Sequence, residues 1–239
     1  MWNGLLTGVA RNLANTRFVS RIIEGVDLHS DNRLAERGML AQAFEFKKIN
    51  KVQGDYFEFG LWRGKTFLYA HELKRRYRCE DLRLLGFDSF EGLPQVDDNR
   101  DNIWAPGQFA CSEAELRKIL RRAGVRDSDY ELVPGYYERS LNDGLHERLT
   151  GRSAAIVYID CDLYVSAKLV LNFIRRYLVN GTIVCFDDFY NYKGNPDQGE
   201  QKALSEFLAQ NRELDFAAWS VYSPLGKSFI VRLRGRNSA

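Results

Sequence analysis

Four aspartates in the sequence directly follow two short, strongly apolar segments. They are Asp160 and Asp162 after residues 154–159, and Asp187 and Asp188 after residues 182–186. Nearly continuous apolar runs are typical of parallel strands covered on both faces, and the carboxyl ends of neighbouring parallel strands meet at one edge of the sheet. Four unpaired carboxylates in one crevice are costly, and no Lys or Arg stands immediately among them. The pattern therefore predicts a divalent cation bound by carboxylate oxygens.

A second group of residues follows the earlier strands. Gly60 and Gly64 follow the apolar run 56–59, where they permit a tight turn and a close backbone approach at the start of a helix. The spacing matches neither the G-x-G-x-x-G fingerprint nor a P-loop. Asp88 ends the next run, at the distance where an acid usually holds a ribose diol, although an aspartate there can equally cap a turn. Together these residues predict a nucleoside-bearing cofactor.

Short β-rich runs alternate with helical patterns from about residue 54. We expect strands at 56–59, 84–87, 130–133, 154–159, 182–186, 216–222 and 228–233, and helices at 65–76, from 113, within 138–149, at 166–178 and at 201–211. The turn signal at 223–226 predicts a C-terminal antiparallel hairpin. The expected fold is α/β, with a mostly parallel, doubly wound, seven-stranded sheet. Residues 1–50 are predicted to form an N-terminal helical cap or dimerisation segment, and residues 51–239 the main domain.

The composition is that of an ordinary globular protein. The chain has 239 residues, of which 45% are hydrophobic and 28% charged, which excludes a disordered chain. The net charge of +2 predicts no general affinity for nucleic acid or for an anionic membrane. Four dispersed cysteines, the lack of a signal-peptide pattern and the lack of a membrane-length apolar run predict a cytoplasmic protein.

Four strings occur in order between about residues 54 and 210. They are Gly54-Asp-Tyr-Phe-Glu-Phe-Gly-Leu-Trp-Arg-Gly64, Phe87-Asp-Ser-Phe-Glu-Gly-Leu-Pro94, Asp160-Cys-Asp-Leu-Tyr-Val-Ser166 and Gly181-Thr-Ile-Val-Cys-Phe-Asp-Asp188. Their conjunction resembles the macrocin O-methyltransferase family of antibiotic-sugar methyltransferases. The resemblance implies a Rossmann-like class I methyltransferase fold that uses S-adenosylmethionine with Mg²⁺ or another divalent cation. It also implies methyl transfer to a sugar hydroxyl of a small-molecule or glycoside acceptor, and a homodimer.

The resemblance further assigns roles to single residues. The cofactor-binding residues would be Glu58, Gly60, Gly64, Thr66, Asp88, Ser89, Gly135, Tyr136 and Asp160. The metal ligands would be Asp160, Asp187 and Asp188, and the general base would be Asp162. The sequence departs from the family pattern before the fifth strand, where Gly181 stands alone instead of in a glycine pair.

The same residues also permit other interpretations. Asp160-Cys-Asp162 after an apolar strand also resembles the D-x-D motif of a metal-dependent glycosyltransferase that uses a nucleotide sugar. That alternative leaves the glycine loop, Asp88 and the second aspartate pair without a common role. A nicotinamide oxidoreductase lacks support because the third glycine is missing, and a scaffold has little reason to cluster four acids. Trp104 and Tyr190 could either stack on a sugar ring or serve loop packing.

Overall fold

The computed structural model describes residues 35–95 and 105–235. The strands are β1 (Asp55–Phe59), β2 (Leu84–Asp88), β3 (Tyr130–Pro134), β4 (Ala154–Ile159), β5 (Leu178–Phe186), β6 (Leu214–Val221) and β7 (Lys227–Leu233). The helices are α1 (described over residues 35–49), α2 (Lys65–Arg76), α3 (Glu113–Arg122), α4 (Tyr137–Ser140), α5 (Asp143–Arg148), α6 (Tyr164–Ile174) and α7 (Gly199–Gln210).

All seven strands form one sheet in the order β3-β2-β1-β4-β5-β7-β6. The strands β1 to β5 pair in parallel, whereas β7 runs antiparallel to both β5 and β6. The predicted α/β fold, with its seven strands and its C-terminal hairpin, is confirmed. The order reverses direction between β1 and β4, which is where doubly wound sheets open a crevice for ligands.

Two apolar layers cover the sheet, because alternate side chains of a strand point to opposite faces. On one face the strands pack against apolar residues of α1, α2 and α3, among them Phe44, Phe67 and Leu116. On the other face they pack against α5, α6 and α7. Every residue of β4 is buried, which explains why its sequence is apolar throughout.

The N-terminal segment predicted at 1–50 is described only from residue 35. There α1 buries Met39, Leu40, Ala43 and Phe44 in the same cluster as the sheet. Residues 1–34 and Trp104 lie outside the described residues, and the division at residue 50 stays a prediction. No helix in 35–95 or 105–235 combines the length and the apolar character needed to cross a bilayer.

The predicted boundaries differ from the structure mainly around residue 178. Helix α6 ends at Ile174, a short 3-10 turn follows at Arg175–Tyr177, and β5 begins at Leu178 rather than at residue 182. Tyr177 and Leu178 are apolar because both are buried. Their spacing also fits the apolar pattern of the preceding helix, so the sequence alone extends the helix past its true end. Residues 138–149 form two short helices. Ser112 caps α3 as its sequence indicates, because its side chain accepts a hydrogen bond from the backbone N–H of Glu115 at 3.2 Å.

Gly60 lets the ends of β1 and β4 approach each other. Its φ is +88°, and a Cβ atom built there would overlap the carbonyl oxygen of Asp160. The backbone N–H of Asp160 donates to the carbonyl of Phe59 at 2.8 Å, which fixes this close contact. A side chain at position 60 would therefore force apart the two strands that deliver the candidate site residues.

We expect Gly60→Ala to destabilise the protein by about 3 kcal/mol or more, because backbone strain and a backbone overlap act together. Gly38→Ala is the matched control, since Gly38 lies on an exposed face of α1 with no atom within 4 Å of the added methyl group. The control should be neutral or gain about 0.5–1 kcal/mol. Urea unfolding of both variants measures the difference, and equal stability of the two would contradict the role given to Gly60.

Candidate active site

One cavity of about 260 Å³ lies along the carboxyl edge of the sheet. Its lining includes residues that follow five neighbouring strands, in sheet order Tyr136 after β3, Asp88 at the end of β2, Gly60 after β1, Asp160 after β4 and Asp187 after β5. Backbone bonds hold these positions. The N–H groups of Gly135, Gly60, Asp160 and Asp187 donate to the strand beside each of them at 2.8–2.9 Å. The backbone hydrogen bonds of the sheet therefore fix the positions of these cavity-lining residues.

Asp88 joins two loops at the β2 end of the cavity. Its Oδ2 accepts the backbone N–H groups of Leu61 and Trp62 at 2.6 and 3.2 Å, and its Oδ1 accepts that of Phe90 at 2.7 Å. Asp88 therefore both caps the turn and lines the cavity. A carboxylate has about four acceptor positions, so Asp88 has room for one further hydrogen bond. Ser89 lines the same cavity, with its hydroxyl donating to the carbonyl of Gly92 at 2.8 Å.

Four of the predicted cofactor residues do not line the cavity in the described part of the chain, namely Glu58, Gly64, Thr66 and Gly135. Gly64, with φ +67°, precedes α2, and an added Cβ would lie 2.5 Å from Leu116 of α3. Its structural role is therefore the close packing of α3. Gly135 accepts the hydroxyl of Ser140 at 2.9 Å, while Tyr136 beside it does reach the cavity.

Glu58 is a fully buried acid one layer below the cavity. The hydroxyl groups of Tyr56 and Thr66 both donate to its carboxylate. Burial raises the pKa of Glu58 from its usual 4.5 to about 8, although these two hydrogen bonds lower it. The network links β1 to the first turn of α2.

Three acids of the second half of the sheet come together. Oxygen atoms of Asp160, Asp162 and Asp188 all lie within 4.8 Å of one another. Asp162 has a left-handed backbone with φ +58°, which Asp adopts more readily than most residues. The hydroxyl of Tyr192 donates to the Asp162 carbonyl at 3.1 Å and fixes this conformation. The structure thus groups two predicted metal ligands with the predicted base.

Asp187 lines the cavity but is held differently. Its Oδ1 accepts the hydroxyl of Tyr158 at 2.6 Å, and the hydroxyl of Tyr222 lies 3.4 Å away. Tyr222 is directed at the carbonyl of Phe186, at 2.7 Å. Tyr158 therefore fixes the orientation of Asp187. The assignment of Asp187 as a metal ligand stays a prediction.

The electrostatics of the group follow from burial and mutual repulsion. Burial raises the pKa of Asp160 well above its usual value, with the charge of Asp187 as the next cause. Burial likewise raises the pKa of Asp162 to about 6, and it raises that of Asp188 well above its usual value. Burial also raises the pKa of Asp187, against the hydrogen bond from Tyr158. Burial and mutual repulsion thus disfavour the simultaneous ionisation of these carboxylates.

Sequence reasoning missed Glu200, in the first turn of α7. The residue is 1% exposed, and its Oε2 accepts the backbone N–H of Asp188 at 3.2 Å. Burial, followed by the charge of Asp188, raises its pKa well above the usual value. One acid at the start of an amphipathic helix is an ordinary sequence feature. Only the folded chain reveals that this side chain points inward.

Sequence reasoning also missed the apolar wall of the cavity. Its additional lining residues include Trp62, Leu93, Pro94, Phe109 and Tyr137. The rings of Trp62 and Phe109 meet edge to face, with centroids 5.7 Å apart. Trp62 stood within the glycine loop as a visible signal, whereas Phe109 had none. Tyr190 packs against Phe189 and does not line the cavity, which favours its loop-packing interpretation.

These residues fit the two groups that the sequence implies. A hard divalent cation prefers carboxylate oxygens, and three such oxygens converge while a buried oxygen of Glu200 has no hydrogen-bond partner. A nucleoside needs apolar walls with a few placed polar groups, and the cavity offers Trp62, Phe109 and Tyr136 beside the remaining acceptor position of Asp88.

Several known proteins are similar to this chain in structure or in sequence. The O-methyltransferase NovP superimposes with a TM-score of 0.69 at 22% identity, covering 84% of this chain and 81% of that one. The calicheamicin methyltransferase CalS11 gives a TM-score of 0.67 at 25% identity, covering 97% and 91%. An 8-demethyl-8-(2,3-dimethoxy-alpha-L-rhamnosyl)-tetracenomycin-C 4'-O-methyltransferase of Streptomyces olivaceus is 29% identical over 145 residues, covering 58% of this chain and 54% of that protein.

The fold is that of the Rossmann-like O-methyltransferases. A sequence profile described as macrocin-O-methyltransferase (TylF) matches residues 29–213, and the chain belongs to this family. The family recognised from the four sequence strings is thereby confirmed. The chain spans about half the length of the curated relatives that it matches.

The raised pKa of Glu58 predicts a pH dependence of stability. Because the folded state holds this proton more tightly than the unfolded chain, its contribution is complete below about pH 4.5 and is lost as the pH rises toward 8. In the wild type, this proton makes the unfolding free energy fall as the pH rises from 5 to 8. Glu58→Gln should reduce the slope of that fall by on the order of 1 kcal/mol per pH unit. Urea unfolding in EDTA measures this slope.

Glu147→Gln, at an exposed position of α5, is the control and should keep the wild-type slope. A Glu58→Gln variant with the wild-type slope would mean that the Glu58 carboxylate does not titrate in this range.

Proposed function

We propose that the protein is an S-adenosylmethionine-dependent, divalent-cation-assisted O-methyltransferase. Its acceptor is a hydroxyl group of a sugar or of a glycosylated small molecule, and it acts as a homodimer. The tetracenomycin relative is named for an acceptor that carries a rhamnosyl group, so a 6-deoxyhexose glycoside is the first acceptor class to test.

The observation that carries this proposal is the continuity of the cavity. A single space reaches from Asp88 and Tyr136 on the β2 and β3 side to Asp162 and Asp188 on the β4 and β5 side. A nucleoside site and an acidic site thus open into each other. This arrangement is what a reaction between a nucleoside-bearing methyl donor and a polarised hydroxyl group requires.

The residues that would hold the cofactor lie on the β1, β2 and β3 side. Asp88 would accept one ribose hydroxyl, and Tyr136, Trp62 and Phe109 would contact the adenine. Gly60 keeps the backbone at the junction of β1 and β4 free of a side chain. When bound, S-adenosylmethionine supplies an electrophilic methyl group.

The carboxylates would hold the cation and move the proton. Asp160, Asp187 and Asp188 would bind a divalent cation, which, when bound, lowers the pKa of a hydroxyl group beside it. Asp162 would accept the hydroxyl proton while the acceptor oxygen forms its bond to the methyl carbon and S-adenosylhomocysteine leaves. The left-handed turn at Asp162 brings this carboxylate beside those of Asp160 and Asp188, so Asp162 would lie next to the cation and to a hydroxyl group that the cation activates.

Calorimetric titration with S-adenosylmethionine, with and without Mg²⁺, tests the cofactor part of the proposal. We expect saturable one-site binding because the apolar wall and Asp88 suit a nucleoside. A parallel titration with a nucleoside diphosphate sugar and Mg²⁺ should show no binding. Binding of the nucleotide sugar alone would instead favour a glycosyltransferase of the D-x-D kind.

Asp162→Asn tests the assignment of the base. Asn also adopts a left-handed backbone, so the turn is kept while the proton acceptor is removed. We expect at least a 100-fold loss in the rate of S-adenosylhomocysteine formation with a rhamnosylated acceptor. The Kd for S-adenosylmethionine should stay within about twofold, since the substitution leaves the nucleoside side intact. A variant with the full rate would show that another group takes the proton.

A further inference from the structure

Two buried side-chain atoms in the described ranges lack a hydrogen-bond partner, and both belong to the first turn of α7. They are Oε1 of Glu200 and Nε2 of Gln201. The Glu200 side chain is buried, and its other oxygen, Oε2, accepts the backbone N–H of Asp188. A buried carboxylate oxygen without a donor is unfavourable, so a donor from outside the chain would satisfy it.

The surroundings of Glu200 identify the kind of donor. Its carboxylate meets the backbone of Asp188, which lines the same cavity as Asp187 and Asp162, the neighbouring acids at the ends of β5 and β4. Ionised carboxylates offer acceptors to one another and no donor. A water molecule bound to a divalent cation has strongly polarised hydrogens and is a good donor to a carboxylate. Glu200 therefore lies next to the acids that would bind the cation, and not on the side of the cavity that would hold the nucleoside.

We propose that Glu200 is a positioning residue for the divalent-cation site, which fixes Asp188 through its backbone N–H and accepts a hydrogen bond from a cation-bound water through Oε1. This inference rests on the proposed function, because it presupposes a cation at Asp160, Asp187 and Asp188. It adds to that function a fifth acid, which lies on α7 and outside the strand ends.

Glu200→Gln separates the two roles of the side chain. The amide oxygen of Gln can keep the bond to the Asp188 N–H, while its NH₂ group replaces the acceptor at Oε1 with a donor. Outer-shell substitutions of this kind typically weaken metal binding by about 10- to 100-fold. Glu206→Gln is the matched control, because Glu206 lies on the same helix and contacts Tyr164 and Lys168.

The experiment titrates the protein with MnCl₂ and follows free Mn²⁺ by electron paramagnetic resonance, with the Kd for S-adenosylmethionine measured on the same samples. We expect Glu200→Gln to raise the Kd for Mn²⁺ at least about 10-fold. Glu206→Gln should stay within twofold of the wild type, and S-adenosylmethionine binding should be equal in all three proteins. Thermal unfolding in EDTA should show Glu200→Gln to be about as stable as the wild type, because the amide oxygen can keep the hydrogen bond to the Asp188 N–H.

Two other outcomes would overturn the inference, and they can be told apart. Wild-type affinity for Mn²⁺ in Glu200→Gln would reduce Glu200 to a buried structural acid and leave the proposed function standing. A wild-type protein that binds S-adenosylmethionine but no Mn²⁺ would remove both the inference and the cation from the proposed function. Should Glu200→Gln fold poorly, Glu200→Asp provides the same comparison: a shorter carboxylate cannot reach both partners, and an unchanged Kd for Mn²⁺ would again overturn the inference.

Discussion

The carboxylates at the ends of β4 and β5 repel one another in a region where burial removes most of the water that would screen them. Burial and this repulsion raise the pKa of Asp160 and Asp188 together. Such a group persists only if the backbone holds it in place whatever its charge. The parallel ladder meets that requirement, because the N–H groups of Asp160 and Asp187 each donate to the neighbouring strand.

The remaining architecture follows from holding this edge in place. Gly60 allows β1 to lie directly against Asp160, so the side of the cavity with Asp88 and Tyr136 and the side with the clustered aspartates share one junction. Asp162 turns back toward its neighbours because its backbone is left-handed and Tyr192 bonds to its carbonyl. Both devices act on the backbone, which fixes the point from which each carboxylate side chain extends.

Sequence patterns predicted the strands and the edge at which the acids meet, because buried parallel strands are apolar throughout and their ends are marked by Gly and Asp. They were less successful where the same apolar spacing fits two kinds of structure. Tyr177 and Leu178 fit the pattern of a helix, but they lie in a turn and at the start of a strand. Contacts between distant segments leave no local pattern at all. Phe109 in the cavity wall and Glu200 behind Asp188 are of this kind, since each depends on where a loop or a helix packs.

The buried acids divide according to the donors that the chain provides for them. Glu58 receives two hydroxyl groups, from Tyr56 and Thr66, so this carboxylate is tied to the protein itself. Glu200 receives a single backbone N–H and keeps one buried oxygen without a partner. A buried acid whose oxygens all have donors within the protein needs no further partner. A buried acid with an oxygen that lacks a donor, such as Glu200, is suited to accept a hydrogen bond from a bound ligand. The distribution of donors, more than the number of acids, therefore separates the structural carboxylates of this sheet edge from those available to a ligand.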